Sequence, residues 1–518
     1  MAAGNPAHVR RPATRGVAVR RPGRDRRAVR HPGPAGSSRL AEQRRVNVVG
    51  GGIAGLAAAT VLAERGVRVT LFEADDRFGG RVSAWPLPGG DGRTMSRGFH
   101  AFFRQYYNLR ALLRRTDPGL ERLRPVGDYP LQRPDGMRDS FSGIPRTPPL
   151  SVLGFVARSP AFTPATLARV NVPAALELLQ VSFPGHHARY DGESAADFLD
   201  RLRFPRAARD LALEVFARSF FADPSEFSAG ELVAMFHAYF LGSAEGLLFD
   251  VPDEDYDTAL WAPLAERLRR LGVELRTGCR VAEIGRDGVR LADGQSVTGD
   301  AVVLATDPGA ARGILAELDD PGGGLADWKR RVAATRNAPP FVVLRLWLDG
   351  LVAPERPAFL GTSGYGPLDN VTVLERFEAG AARWSREHGG SVVELHAYAC
   401  SDSVLTDAGP REAVLAELER QWHRIHPEAA HHPVLHREVL VRDDCTLITP
   451  ERWSDRPGVS TPCDWLVLGG DWVRCDYPVA LMERAATTGI LAANRLLEGW
   501  GAAGEDLWTV PMRGLLAR

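Results

Sequence analysis

The 518 residues exceed the size at which one hydrophobic core usually stops growing, so we expect more than one domain. The chain carries 64 basic and 64 acidic residues, and this zero formal charge argues against a nucleic-acid-binding surface. Five scattered cysteines show no CxxC or Cys/His spacing. They predict neither a zinc or iron–sulfur site nor a disulfide framework, and they fit a reducing cytosol.

The N-terminal segment 1–45 differs in composition from the rest of the chain. It contains 12 arginines against one Asp and one Glu, with frequent Pro, Gly and Ala. Such a segment cannot bury a core, so we predict a disordered tail that either contacts anionic lipid headgroups or has no role. It lacks the apolar region of a secretory signal, and no later stretch reaches the roughly 20 uncharged apolar residues of a membrane span.

A βαβ unit opens the folded part of the sequence. The pattern predicts a buried strand over 46–49, a helix over 53–65 that ends at Gly66, and a second strand over 67–73. Between about residues 110 and 260 we predict proline-rich helical segments, including Leu167–Leu179 and Ala207–Phe220.

The second half of the chain alternates between strands and helices. We predict a helix over 264–271, strands over 273–276, 280–284, 289–291, 301–306, 341–348, 392–399 and 465–468, and a last helix over 481–497. The strands 341–348 and 392–399 have the alternating or fully apolar character of a sheet that faces a pocket.

A glycine-rich loop connects the first strand to the first helix and satisfies GxGxxG. Gly50 permits the tight turn, Gly52 lets backbone amides approach a pyrophosphate, and Gly55 allows the helix to pack closely on the strand. An acid, Glu73, ends the next strand 18 residues after Gly55 and can accept hydrogen bonds from ribose hydroxyls. The motif alone is weak, but this complete context predicts a dinucleotide site that includes Gly51, Ile53 and Ala54.

Four segments, in order along the chain, resemble the amine-oxidase and carotenoid-desaturase flavoprotein superfamily. They are 73–81 (EADDRFGGR, matching ExxxRxGGR), 277–281 (TGCRV), 300–306 (DAVVLAT) and the closing pair of 470–472 (GDW) with 482–486 (MERAA). The resemblance implies FAD as cofactor. It assigns further cofactor contacts to Ala74, Gly80, Arg81, Gly98, Val281, Gly470, Asp471 and Met482.

This resemblance also implies the fold class and domain organisation. We expect an α/β fold in which a Rossmann-like FAD-binding domain is interleaved with an α+β substrate domain. The FAD-binding domain would comprise 46–110, 262–335 and 455–500, and the substrate domain 111–261 and 336–454. Residues 501–518 would form a C-terminal tail.

A second group of sequence motifs indicates the class of substrate. Residues 97–110 (RGFHAFFRQYYNLR) are similar to the GLHxFFxxYxNL element of carotene desaturases. Together with 139–145 (DSFSGIP), they resemble the actinobacterial β-carotene desaturase/methyltransferases, which make aromatic φ-end carotenoids. The aromatic side chains would offer flat faces to a conjugated polyene. The alternative is that they pack a helix against the cofactor domain.

Candidate catalytic residues follow from that chemistry. His100 lies in the element that the resemblance places near the flavin, where it would position the ring system or move a proton, or be a structural histidine. Loss of hydride from a β-ring would leave an allylic cation, which a carboxylate could stabilise and from which it could take a proton. We consider Glu231, Asp250 and Asp253, near the apolar stretch 235–249; the alternative is that they are solvated surface acids.

An apolar segment at 150–157 (LSVLGFVA) is too short to cross a bilayer but could enter one leaflet. It is equally consistent with a buried helix. With a hydrophobic carotenoid as substrate, we predict a cytoplasmic protein in peripheral contact with the inner face of the cell membrane. The electron acceptor, quinone or oxygen, is left open.

Three other functions remain as alternatives. The first is a linear carotene desaturase or carotene isomerase, and the second is an amine or protoporphyrinogen oxidase. The third is a non-catalytic lipid-binding carrier with the same fold. The intact glycine loop, Glu73 and Asp471 argue against the carrier, which would not need to retain cofactor contacts.

Overall fold

Five parallel strands form the sheet that the βαβ pattern predicts. This computed structural model describes residues 25–204, 221–320 and 322–517. In spatial order the strands are Glu274–Arg276, Arg68–Phe72, Arg45–Val49, Ala301–Leu304 and Leu466–Leu468. Strands from three distant parts of the chain thus share one sheet. The domain boundaries given above stay a prediction.

Two helices pack together against this sheet. The glycine-loop helix, Ile53–Glu64, is almost entirely buried, and the C-terminal helix, Leu481–Gly499, lies beside it. A side chain at Gly489 would overlap the backbone of Ala54, so the two helices approach each other closely. This contact brings the closing segment of the chain to the glycine-rich loop.

A seven-stranded sheet forms the second layer of the molecule. Its order is Val434–Arg442, Phe341–Leu348, Val392–Ala397, Asn370–Val373, Phe359–Thr362, Leu131–Gln132 and Arg138–Asp139. Every neighbouring pair is antiparallel except the pair formed by Phe359–Thr362 and Leu131–Gln132. The strands Phe341–Leu348 and Val392–Ala397 are buried along their whole length, as their apolar character predicts.

The remaining elements surround these two sheets. The other α-helices are Tyr107–Leu113, Leu150–Arg158, Pro164–Leu167, Val172–Glu177, Ala195–Leu202, Ala229–Phe236, Ala262–Arg270, Pro308–Ala316, Ala326–Ala333, Ala379–His388, Ser403–Thr406 and Ala408–Ile425. Two three-stranded sheets comprise Phe102–Phe103, Phe249–Pro252 and Leu123–Pro125, and Val281–Gly285, Gly288–Leu291 and Ser296–Thr298. Short strand pairs join Ala84–Pro86 to Thr94–Ser96 and Arg336–Asn337 to Thr446–Leu447.

The N-terminal segment departs from the prediction of a disordered tail, and it pairs with the C-terminal tail. Val29–His31 pairs antiparallel with Leu507–Thr509. Asp25 is buried and accepts a hydrogen bond from the backbone N–H of Ala244 (2.9 Å). The expectation of a disordered segment is therefore wrong for residues 25–45, because a partner strand from the far end of the sequence satisfies their backbone. The rest of that tail, 1–24, lies outside the described residues.

The helical region also differs from the prediction. Instead of one helix over Leu167–Leu179, the chain forms Pro164–Leu167 and Val172–Glu177. The Asn171 side chain caps the second helix and Pro173 occupies its first turn, where a proline is tolerated but cannot continue a preceding helix. The predicted helix Ala207–Phe220 lies outside the described residues.

The N-terminal strand generates a stability prediction. A chain truncated to begin at Gln43 should bind FAD but melt below a chain that begins at Asp25, because it loses the strand pairing and the buried Asp25 contact. In a protein of this size each kcal/mol lost lowers the Tm by about 2 °C or less. Equal melting temperatures by differential scanning calorimetry would contradict this role for residues 25–42.

Candidate active site

One cavity of about 550 Å³ connects the two sheets. It touches the carboxyl end of the first parallel strand at Val49 and Gly50 and the antiparallel sheet at Val343 and His396. Because the carboxyl ends of parallel strands meet at one edge, this is where an α/β sheet usually binds its ligand.

Glu73 fixes the conformation of the glycine-rich loop at one end of the cavity. The Glu73 carboxylate accepts hydrogen bonds from the backbone N–H of Gly51 (2.7 Å) and of Asp75 (2.9 Å). Gly50 has φ +105°, which only glycine adopts readily, and a side chain at Gly55 would overlap the Gly50 carbonyl oxygen. Glu73 therefore shapes the loop, in addition to the ribose contact predicted from the sequence.

An arginine and an aspartate join the two halves of the predicted cofactor site. The Arg81 guanidinium pairs with Asp471 (2.5 Å), which also accepts a hydrogen bond from the hydroxyl of Thr446 (2.8 Å). Gly470, just before Asp471, has φ +140°. This network fixes a part of the cavity wall to which residues far apart in sequence contribute.

Two helix N-termini face this cavity without a side-chain cap. The glycine-loop helix begins after Gly52, and the C-terminal helix begins after Ala480; neither has a capping side chain. Gly52 and Ile53 line the cavity at the first helix, and Leu481 and Met482 at the second. Free N–H groups and the helix dipole favour negative charge at both points.

These features fit FAD, which carries a pyrophosphate and a ring system that gains negative charge on reduction. Of the predicted cofactor contacts, those that line the cavity are Gly50, Gly52, Ile53, Ala54, Glu73, Ala74, Gly80, Arg81, Val281, Gly470, Asp471 and Met482. Gly51, Gly55 and Gly98 are not among the lining residues and act through neighbours. Gly51 donates to Glu73, Gly55 packs against Gly50, and the Gly98 carbonyl accepts from His100 and Tyr256.

The other half of the cavity is aromatic. Its lining includes Phe99, Phe103, Tyr106, Tyr129, Phe141, Phe221, Phe249, Phe341, Phe359 and Tyr398. Phe99 stacks on Phe359 with ring centroids 4.5 Å apart. Phe102 and Tyr107, which we grouped with the polyene-contacting aromatics, are instead packed in the core. The packing alternative therefore holds for Phe102 and Tyr107, while contact of Phe99, Phe103 and Tyr106 with a polyene stays a prediction.

His100 lies in the cavity wall as predicted, with its ring Nδ1 2.8 Å from the carbonyl oxygen of Gly98. Burial lowers the pKa of His100 to about 4, and the nearby His396 and Arg97 act in the same direction. The ring is therefore neutral at neutral pH. A neutral His100 can orient the neighbouring backbone through its hydrogen bond to Gly98, but it does not provide a permanent positive charge.

Glu231 is not a cavity acid. It is fully buried, and Arg484 donates to both of its oxygens at 2.7 Å, while His187 Nε2 lies 3.3 Å away. Burial is the largest single influence and opposes ionisation, yet the charges and hydrogen bonds of Arg484 and His187 together outweigh it and lower the pKa of Glu231 to about 2. This carboxylate is neutralised within the protein, so it is not available to a substrate cation.

Asp250 and Asp253 are also engaged elsewhere. Asp250 is buried and pairs with Arg104 (2.9 Å) and Arg110 (2.8 Å). Asp253 lies 3.9 Å from Arg122 and 3.8 Å from Arg124. Neither is among the described residues that line the cavity. We therefore withdraw both acids, with Glu231, as candidates for stabilising the cation.

The antiparallel sheet contributes polar residues that the sequence analysis did not single out. His396 and Tyr398 line the cavity, and buried Glu394 lies behind them. Their spacing of two places all three on one face of an extended segment. The predicted pocket-facing strand 392–399 contained this signal, but alternation alone does not tell which face meets the cavity.

The loop geometry generates a prediction for cofactor binding. Glu73→Ala should lower FAD affinity about ten- to hundredfold, because it removes the acceptor for two loop amides and for the ribose. Glu73→Asp should retain part of the affinity. Flavin content per chain and titration of the apoprotein measure the change.

Glu274→Ala is the matched control for Glu73→Ala. This acid lies on the neighbouring parallel strand, and its partners are Thr70 and Arg276 at the surface. It should bind FAD like the wild type. A Glu73→Ala protein with full flavin content would contradict the assignment.

Comparison with known proteins identifies the family. A family model for flavin containing amine oxidoreductases matches residues 53–497. A carotenoid phi-ring synthase of Streptomyces griseus is 56% identical, and the alignment covers 93% of this chain and 93% of that protein. A second carotenoid phi-ring synthase, of Chlorobaculum tepidum, is 26% identical over 93% of this chain and 92% of its own length.

The solved structures agree in fold. Putrescine oxidase bound to putrescine superposes with a TM-score of 0.62 at 18% identity, covering 88% of this chain and 99% of that structure. The predicted fold class and the predicted cofactor, FAD, are confirmed by these matches. The contacts of individual residues with FAD stay a prediction. The chain belongs to the flavin-containing amine oxidoreductase family and is an FAD-dependent oxidoreductase.

Proposed function

We propose that this enzyme converts the β-rings of a carotene to aromatic φ-rings by desaturation and methyl migration. The observation that carries the proposal is a cavity that is lined both by two uncapped helix N-termini and by a cluster of aromatic side chains. The name of the 56% identical relative, carotenoid phi-ring synthase, gives the same reaction class.

The aromatic half of the cavity suits an extended hydrocarbon. Flat rings such as Phe99, Phe359 and Phe141 provide dispersion contacts to conjugated carbons without requiring a polar partner. The same rings exclude water from the site, which protects a carbocation from being trapped as an alcohol.

Conversion of one β-ring to a φ-ring requires two successive two-electron oxidations of the ring. A β-ring gives up four hydrogens on becoming a φ-ring, two as hydrides and two as protons. FAD, when bound, accepts the hydrides. After a hydride leaves, a methyl group moves with its bonding electrons from C1 to C2, and loss of a proton completes the aromatic ring. The methyl group stays within the substrate, so no external methyl donor is needed.

The protein has two tasks in this sequence. The aromatic walls orient the ring so that the hydride leaves toward the cofactor end of the cavity. Side chains in the cavity wall then accept the two protons that the ring loses. Neutral His100, bonded to the Gly98 carbonyl, contributes to the first task by holding its part of the wall in place.

The alternatives are less well supported. Linear desaturases such as the zeta-carotene desaturase of Synechocystis are 24% identical, against 56% for the phi-ring synthase. Putrescine oxidase is 18% identical to this chain, against 56% for the phi-ring synthase. A carrier would not require the Arg81–Asp471 network or two uncapped helix ends at the cavity.

We further propose that helix Leu150–Arg158 contacts a membrane surface, where carotenes reside. Leu150 is 54% and Leu153 61% exposed, while Phe155 on the same helix is buried. Phe155 stacks on the cavity residue Phe141 at 5.1 Å, so the exposed face lies one side chain away from the cavity wall. No helix among the described residues combines the length and apolarity needed to cross a bilayer.

The proposed reaction is tested with β-carotene in lipid vesicles. The FAD-loaded enzyme, supplied with a quinone or oxygen, should form a product with aromatic end rings, identified by chromatography and mass spectrometry. Lycopene and a polyamine serve as comparison substrates. Faster dehydrogenation of lycopene without ring products would favour the linear desaturase, and flavin reduction by the polyamine would favour the amine oxidase.

The membrane contact is tested by charge insertion. Leu150→Glu combined with Leu153→Glu should weaken vesicle binding and conversion of vesicle-borne carotene by about 10-fold or more, because two exposed apolar side chains are lost. Conversion of detergent-solubilised carotene should persist. Leu351→Glu, an equally exposed leucine in a loop after the antiparallel strand Phe341–Leu348, is the control. Unchanged vesicle flotation of the double variant would contradict the contact.

A further inference from the structure

Three side chains of the antiparallel sheet form a continuous hydrogen-bonded chain to the cavity. The Nε2 atom of His396 lies 2.7 Å from a carboxylate oxygen of Glu394, and its Nδ1 atom lies 2.6 Å from the hydroxyl of Tyr398. Glu394 and His396 are buried, and His396 and Tyr398 line the cavity. The chain therefore runs from a hidden carboxylate to the cavity wall.

The buried carboxylate is held as an anion. Arg345, on the neighbouring strand, donates to one oxygen of Glu394 from Nε (3.0 Å) and Nη2 (2.5 Å). Burial is the largest single influence and opposes ionisation, but the charges and hydrogen bonds of Arg345 and His396 together lower the pKa of Glu394 to about 2. The other carboxylate oxygen is left to accept from His396.

The distances define which nitrogen of His396 carries the proton. A ring nitrogen 2.7 Å from a carboxylate oxygen must share a proton with it, so Nε2 is protonated. The backbone N–H of Phe99 approaches the same nitrogen only at 3.4 Å. Nδ1 is then the basic nitrogen, and the Tyr398 hydroxyl donates to it.

Tyr398 lines the cavity, and its hydroxyl oxygen has a second protein contact besides His396. The side-chain amide of Asn370 donates to this oxygen at 3.0 Å, and the ring packs against Phe221 at 4.7 Å between centroids. Asp369 holds the Tyr398 backbone N–H at 2.7 Å. With its proton directed at His396 and its position fixed by these contacts, the hydroxyl oxygen retains a lone pair.

We propose that Tyr398, His396 and Glu394 are the proton acceptor of the reaction. Tyr398 is the catalytic group that meets the ring, His396 receives the proton, and Glu394 is a positioning residue that stabilises the charged imidazole. The inference rests on the proposed ring aromatisation. It fills the role for which the sequence analysis considered Glu231, Asp250 and Asp253.

The step balances without a further reagent. A proton leaves C2 of the methyl-shifted ring cation for the Tyr398 oxygen while the Tyr398 proton passes to Nδ1 of His396. The C–H bonding pair remains in the ring and fills the empty orbital as a double bond. The substrate becomes neutral, His396 becomes positive, and Glu394 stays negative. Since the electrons of the oxidation left earlier as hydride, this step consumes no oxidant.

The test uses the FAD-loaded full chain and β-carotene in vesicles. Tyr398→Phe removes one oxygen and should slow formation of the aromatic product by about 10²-fold or more. Its flavin content and its carotene binding, followed by the absorption shift of the polyene, should match the wild type. Product formation by the wild type should be slower in D₂O, and this solvent effect should disappear in the variant.

A second variant separates a proton-transfer role from a structural one. His396→Ala should be similarly slow, and added imidazole should restore part of the rate because it can occupy the vacated position. Tyr365→Phe is the matched control, since it removes a buried hydroxyl that bonds Gln132 and the Arg133 carbonyl outside the cavity lining.

The outcomes distinguish this inference from the function on which it rests. No aromatic product from the wild type overturns both. Wild-type turnover combined with an unimpaired Tyr398→Phe enzyme overturns the proton acceptor alone. A slow His396→Ala enzyme that imidazole does not rescue, with altered flavin content, also overturns it in favour of a structural role.

Discussion

A buried ion pair between Arg484 and Glu231 ties the end of the chain to its middle. Arg484 lies in the first turns of the C-terminal helix, and Glu231 lies in helix Ala229–Phe236. Removing one partner of such a pair typically costs about 3–5 kcal/mol, because the other charge is left buried without compensation. The neighbouring Glu483 accepts the backbone N–H groups of Asn108 and Leu109, and so caps a third helix. Two successive residues thus fix the helix end whose Leu481 and Met482 line the cavity.

The cavity beside this helix end is lined by two chemically different sets of residues. At the cofactor end, backbone amides, Arg81 and Asp471 provide charge and directional hydrogen bonds. At the other end, stacked aromatic rings provide non-directional apolar contacts. An enzyme that takes hydride from a hydrocarbon needs both ends in one enclosed space, since the cation formed must meet neither water nor an unsuitable nucleophile.

The ionisable side chains near this cavity differ in how they are neutralised and in whether they connect to the cavity. Glu231 and Asp250 are each neutralised by arginines away from the lining, and His100 is kept neutral by burial. Glu394 is also neutralised by an arginine, but it connects through His396 to the hydroxyl of Tyr398, a residue that lines the cavity. Acid residues near an apolar stretch are therefore not equivalent. What matters is which of them reaches the cavity through a chain of hydrogen bonds.

Local sequence pattern was enough to predict the strand, loop and helix at the cofactor end of the cavity. The glycine loop, Glu73 and the first strand and helix are local: one turn, one helix end and one acid at a set spacing suffice, so short-range pattern predicts them. The long apolar strands Phe341–Leu348 and Val392–Ala397 were likewise predictable from their composition.

The other features depend on contacts between distant parts of the chain. The pairing of Val29–His31 with Leu507–Thr509, the ion pairs of Glu231 and Asp250, and the position of His396 and Tyr398 at the cavity all join residues that are far apart in the chain. The free energy of such contacts depends on burial and on the partner's charge. Neither burial nor the partner's charge can be predicted from the spacing of neighbouring residues. The sequence pattern therefore identified Glu231 and Asp250 as candidate acids but could not predict their positions relative to the cavity.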